Sequence, residues 1–175
     1  MKLRLLLSVV GLLFGIGIIS VSMMTSVNRP LAGNSSVADK EMYLGEVLPD
    51  HLGYPVVAAI DRFYLETANP TERIQYQVKY SHRRLYYTQS LLAKGEETKD
   101  LALSTLTKSQ KYLLKACQEL AQNEVDDSTT QLVIRALAYN INQVEDLTHQ
   151  FPDNQRTVID ELRAQEQAAL EQLQH

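Results

Sequence analysis

A single cysteine, Cys117, stands in the whole of this chain, so no disulfide can close within it and the fold rests on its core. Tryptophan is absent and phenylalanine occurs three times, while nine tyrosines carry most of the aromatic content. Seven glycines and five prolines in 175 residues are too few for the frequent turns of a β-sandwich or barrel. They lie mostly at the edges of long uninterrupted runs, which points to an all-α chain. No Asp or Glu precedes Asp39. No HExxH, CxxC, Gly-x-Ser-x-Gly or glycine-rich phosphate loop occurs anywhere, so the common zinc, redox, nucleophile-elbow and nucleotide signatures are all missing.

What is present begins with 1-MKLRLLLSVVGLLFGIGIISVSMMTSVNRP-30. Lys2 and Arg4 form a positive flank, and Leu5 to Met24 then carry no charge for twenty residues. As a helix, that length matches a hydrocarbon core of about 30 Å. An uncleaved anchor over 1–27 is the favoured reading. A cleaved signal peptide is the alternative, with Ser20-Val21-Ser22 as its small-x-small site. No cysteine follows the apolar run, which excludes a lipoprotein anchor. The positive-inside bias keeps the N-terminus cytoplasmic and places the rest of the chain outside, in the cell envelope, or secreted if the segment is cleaved. Residues 28–45 read as a small, polar, flexible tether and 46–175 as one domain.

Charge is uneven along that domain. From Asp39 onward 14 Lys and Arg face 21 Asp and Glu, a net of −7, which argues against a nucleic-acid partner. Arg73, Lys79, Arg83, Arg84 and Lys94 make 71–94 basic against Glu72 alone, whereas 118–175 holds three basic and eleven acidic side chains.

Breakers divide the domain into one short helix and four long ones. Leu48-Pro49-Asp50 and Gly53-Tyr54-Pro55 are turns, and Pro55 suits a first helical position. Val56, Ile60, Phe63 and Tyr64 then share a face, with Asp61 and Arg62 turned away. This short helix reads as a lid, with Tyr54, Ile60 and Phe63 as packing residues. Asn69-Pro70-Thr71-Glu72 is a capping box for a helix that ends at Gly95. That helix carries Ile74, Val78, Leu85 and Leu92 in one stripe, with Tyr76, Tyr80, Tyr87 and Leu91 in a second. A third helix begins near Glu96 or Thr98 and bears Leu103, Leu106, Gln110, Leu113, Cys117 and Leu120 in steps of three and four. Asp127 or Ser128 is the expected cap of a fourth, with Val133, Leu137, Asn140, Val144, Leu147 and Phe151. Pro152 ends it and Asp153 is the expected cap of a fifth, with Val158, Ile159, Leu162, Ala169, Leu170 and Leu173, partly exposed or frayed. Such stripes bury themselves by packing antiparallel as a bundle.

The segments 47-VLPDHLGYPVVAAIDRF-63 and 70-PTERIQYQVKYSHRRLYYTQSLLAKG-95 resemble a family of secreted or membrane-anchored bacterial helical domains, mostly from candidate phyla, with no assigned activity. Leu48, Pro49, Asp50, Tyr54 and Pro55 match its Leu-Pro-Asp…Tyr-Pro opening motif. Pro70, Arg73, Arg84, Leu85 and Gly95 match the helix that follows. His51-Leu52-Gly53 departs from the family's usual filling. The resemblance spans about 46–121 and implies an envelope location and a helical fold, with nothing catalytic.

Two clusters carry candidate chemistry. In 79-KYSHRRLYY-87, the basic and aromatic residues Lys79, Tyr80, Arg83, Arg84 and Tyr87 are the candidate partner-binding set, for an envelope protein or an anionic polymer. The competing reading pairs these cations with the acidic C-terminal helices. Asp146 and His149, with Glu145, make half of a dimetal carboxylate pattern, and the second Glu-x-x-His is missing. No cofactor is implied. Ser81 and His82 are adjacent and point apart on a helix. The sequence thus points to a non-enzymatic, membrane-anchored helical module acting through contacts, with a metal- or small-ligand-sensing bundle as the alternative.

Overall fold

The computed structural model describes residues 47–174, which belong to the second of two units, Glu46–His175. The expected anchor over 1–27 and tether over 28–45 lie outside the described residues. Five α-helices follow one another: α1 Tyr54–Thr67, α2 Pro70–Leu92, α3 Lys99–Gln122, α4 Asp127–Thr148 and α5 Asp153–Gln174. No strand forms among the described residues, and no helix there is long and apolar enough to cross a membrane.

The helix ends follow local chemistry. Asn69 Oδ1 accepts the Glu72 N–H at 2.9 Å while the Glu72 carboxylate takes the Asn69 N–H at 3.3 Å, and Pro70 fills a first-turn position with no N–H to satisfy. Asn69→Ala should therefore cost about 1 kcal/mol in urea denaturation, against a few tenths for Asn69→Gly. Equal losses from the two would show that the side-chain cap carries nothing. After α2 the chain turns at Gly95, whose φ of 107° lies where a side chain is strained. Thr98 Oγ1 then donates to the Leu91 and Gly95 carbonyls and closes the turn into a short 3-10 segment, Glu96–Thr98, ahead of α3.

Two expected caps are displaced by one residue. Asp126, rather than Asp127 or Ser128, caps α4, with Oδ1 accepting the Thr129 N–H at 2.7 Å. At the head of α5 the Gln155 and Arg156 N–H groups donate to the Pro152 carbonyl, so Asp153 is already helical, and its carboxylate pairs with Arg156 instead.

Helices α2 to α5 form a four-helix bundle. Consecutive helices run antiparallel, as their short turns require. Across the two hairpins, however, neighbours run parallel. Gln89 of α2 meets Gln143 of α4, and Ile74 and Val78 share a core with Val133 and Leu137. Likewise Gln155 of α5 reaches Asp100 of α3, and the Ile159 carbonyl meets Gln110. Helices α2 and α5 make no close approach and stand at opposite corners. A uniformly antiparallel bundle is thus corrected to two antiparallel hairpins laid side by side, with 123–126 carrying the chain across the diagonal.

The core has two apolar ends. One holds Ile74, Val78, Leu113, Val133, Leu137 and Leu170; the other holds Leu85, Leu91, Leu106, Val144, Phe151 and Ile159. Between them lies a buried polar waist of Ser81, Ser109, Gln110, Asn140 and Glu166.

Helix α1 lies antiparallel on α2, outside the bundle proper, and it is rotated from the expected orientation: of the expected packing residues Tyr54 faces inward and Ile60 is half-buried, but Phe63 is not covered. Asp61, read as turned outward, is its one buried side chain at 6% exposure. Val56 and Phe63, read as inward, are exposed, Phe63 by 62%, and Tyr64 is exposed by 41%. The inner face runs through Tyr54, Asp61 and Leu65. The cause lies in α2, whose guanidinium groups at Arg83 and Arg84 need acceptors that α1 supplies.

Candidate functional site

The sequence candidates on α2 all face α1 and α3 except Lys79, which is exposed to solvent. Steps of three and four put Tyr80, Arg83, Arg84 and Tyr87 on one side of the helix. Arg83 donates through Nη2 to the Asp61 carboxylate, and its guanidinium lies 4.8 Å from the Tyr80 ring centre. Arg84, only 7% exposed, donates to the Tyr54 hydroxyl and lies 5.3 Å from the Tyr112 ring centre on α3. Tyr54 and Tyr87 meet edge to face at 6.3 Å, as do Tyr80 and Tyr112 at 5.9 Å, geometries that suit the ring quadrupoles. The stack continues from Tyr80 to Tyr76 and on to Tyr64 of α1.

Electrostatics in this cluster follow from burial. Burial pushes the Asp61 carboxyl above its ordinary range, with Arg83 pulling the other way. Burial also raises the Tyr80 and Tyr87 phenols, which stay neutral at physiological pH. At Arg84 burial works against the charge, but the Tyr54 and Tyr112 oxygens outweigh it and hold the guanidinium protonated. The arrangement is a cation clasp in which aromatic faces, a hydroxyl and a carboxylate fasten α1 to the bundle.

The competing charge reading is corrected in its partners. Among the described residues none of Lys79, Arg83 and Arg84 pairs with α4 or α5, and neither does Arg73 or Lys94. Arg73 pairs with Glu119 of α3 at 2.6 Å, Arg83 with Asp61, and Lys94 with Asp50 in the turn before α1. Arg73 and Glu119 line an open groove of about 510 Å³ between α1, α2 and α3, where Gln77 also donates to Glu119 at 2.7 Å.

Asp146 and His149 are exposed at the end of α4, where His149 occupies the C-cap. No group of three or more His, Cys, Asp or Glu side chains able to hold a metal occurs among the described residues. Cys117 is half-buried beside the Val133 end of the core, and burial, with Glu166 nearby, pushes its thiol up to about 11. A thiol in that state is a poor nucleophile at neutral pH.

Glu166 is the side chain that the sequence reading passed over. It is fully buried, and its Oε1 accepts from Asn140 Nδ2 at 2.8 Å. Burial pushes its carboxyl from an ordinary 4.5 up to about 7, although hydrogen bonds from Asn140 and Gln110 favour the charged form. A signal was available: Ile159, Leu162, Glu166 and Leu170 stand in steps of three and four, so Glu166 occupies a core position.

Comparison with protein families, with curated proteins and with solved structures finds no match to this chain.

Proposed function

We propose that this chain is a non-enzymatic module, anchored in a membrane by its N-terminal segment, whose helical bundle stands outside the cytoplasm and works by contact with envelope components. The observation that carries the reading is the clasp. The cluster that looks most like a binding site in the sequence, Tyr80, Arg83, Arg84 and Tyr87, is spent on fastening α1 to the bundle. What remains for a partner protein is surface: the acidic outer sides of α4 and α5, where Glu145, Asp160, Glu161 and Glu171 are exposed. An envelope protein that complements those surfaces is a better partner than an anionic polymer, which would need the arginines free. The uncharged run Leu5 to Met24 behind Lys2 and Arg4 supports the anchor and its direction.

The topology is tested with cysteine chemistry. Cys117 reacts poorly because its thiol is half-buried and stays protonated, so a cysteine placed at an exposed site on α4, Gln131→Cys, reports alone. With a membrane-impermeant maleimide on intact bacterial cells, we expect Gln131→Cys to label fully and the wild-type chain hardly at all. Labelling that appears only after lysis would place the bundle on the cytoplasmic side and sink the proposal.

A further inference from the structure

We infer that the outer face of α1 docks on the lipid surface, so that the bundle lies against the membrane rather than standing free of it; this deepens the anchored reading above and rests on it. The face consists of Val56, Ala59 and Phe63 on α1, all exposed and in steps of three and four, with Leu52 exposed in the turn just before the helix. That spacing is a single apolar stripe on a helix. Here it points away from the protein, because the opposite side of α1 is committed to Arg83 and Arg84.

Leu52 is 98% exposed, yet it is held in place. It stands at the tip of a turn closed by the His51 N–H to the Leu48 carbonyl at 2.9 Å, the Tyr54 N–H to the His51 carbonyl at 3.0 Å and the Gly53 N–H to His51 Nδ1 at 3.1 Å. Lys94 pairs with Asp50 and ties that turn to the end of α2. A large apolar side chain pinned outward costs solubility unless something covers it.

Two quantities select lipid as the cover. Helix α1 has 14 residues, and such a helix is about 21 Å long and 10 Å wide, so the stripe offers about 200 Å². A stable pair of proteins buries about 800 Å² on each side, so a second copy would be held poorly by this face alone. A membrane anchored through the same chain is different. Twenty-seven residues separate Met24 from Leu52, so the stripe stays within about 95 Å of the anchor however the intervening chain is arranged. Docking is then intramolecular, at an effective concentration in the millimolar range, and a small apolar face suffices. Charges beside the stripe are already paired, Arg62 with Glu66 at 2.7 Å and Lys94 with Asp50, so the contact is apolar and does not call for anionic lipid.

The chain has no tryptophan, so Phe63→Trp in the full-length protein gives one indole on the stripe. Phe63 and Val56 are exposed, and their replacement leaves the core alone; circular dichroism checks this. The protein is reconstituted into phosphatidylcholine vesicles with or without brominated acyl chains, and vesicle flotation is measured beside fluorescence. We expect the chain to co-float and the indole to be quenched at least about twofold by brominated lipid. Adding Val56→Asp should abolish the quenching. A control indole on the exposed last turn of α5, Gln172→Trp, should stay unquenched, and adding phosphatidylglycerol should change nothing. Co-flotation without quenching would overturn the docking and leave the anchor standing. An indole shielded by raising protein concentration, and not by lipid, would identify a second copy as the cover and overturn it too. A chain that does not co-float would overturn both the anchored reading and the docking.

Discussion

At pH 8 the Glu166→Gln variant should unfold with a free energy about 3 kcal/mol higher than the wild-type chain, and near pH 4 the two should agree closely. Glu166 is fully buried and titrates near 7 in the folded protein against an ordinary 4.5. Between those values the folded state holds a proton that the unfolded state has released. Wild-type stability therefore falls as pH rises from about 4.5 to 7, at up to about 1.4 kcal/mol per pH unit, and flattens above. Glutamine copies the protonated acid at every pH. Its carbonyl can still accept from Asn140. Its amide can donate where Glu166 Oε2, Gln110 Oε1 and Asn140 Oδ1 are all buried acceptors without a partner. Burial, the largest influence on this carboxyl, outweighs the hydrogen bond from Asn140 that favours its charge, and a proton on Oε2 gives the waist a donor. Urea denaturation across pH 4 to 8 reads the difference. Parallel pH slopes for wild type and variant would refute the assignment.

The waist also shows what was legible in the sequence. Each of its three long polar side chains stands at a stripe position: Gln110 between Leu106 and Leu113, Asn140 between Leu137 and Val144, and Glu166 between Leu162 and Leu170. The first two are visible in the seams of α3 and α4. That they meet Glu166 in one layer depends on helix order and register, which no single helix encodes. Side-by-side pairing of α2 with α4 and α3 with α5 brings them together, where a ring of antiparallel neighbours would have separated the layers differently. Helix ends were plainer. Asn69-Pro70, Gly95 and Pro152 act on their own neighbours, so local chemistry decides them, and errors at Asp126 and Asp153 amount to one residue.

Helix α1 is where local pattern misleads. Its strongest apolar stripe, Val56 to Phe63, suggests an inner face, and by transfer energy alone it should be one. The other face won because α2 buries two guanidinium groups beside it. Leaving Arg83 without Asp61, or Arg84 without the Tyr54 hydroxyl, would strand buried donors, and that penalty outweighs exposing Val56 and Phe63. The decision is made 22 residues away from Asp61, at Arg83, so a reading confined to α1 has no access to it.

Removing that decision should release the helix. In Asp61→Ala the Arg83 guanidinium, 17% exposed as a side chain, loses its counter-ion. For a pair that could not escape, the loss would be about 3–5 kcal/mol. Here α1 contacts the bundle only along α2 among the described residues, so undocking lets Arg83 reach water and caps the global loss at about 1–3 kcal/mol. The larger effect is local. If docking weakens by about 2 kcal/mol, the open population rises about thirtyfold, and trypsin cleavage after Arg62 should accelerate in proportion while the circular dichroism of α2 to α5 persists. Asp61→Leu combined with Arg83→Met replaces the pair with apolar groups of similar size and should restore protection. Should Asp61→Ala leave both cleavage and stability at wild-type values, the pair holds nothing, and the outward stripe of α1 would need another cause. Should the double replacement stay open like Asp61→Ala, the ion pair itself rather than burial at that site holds α1 in place.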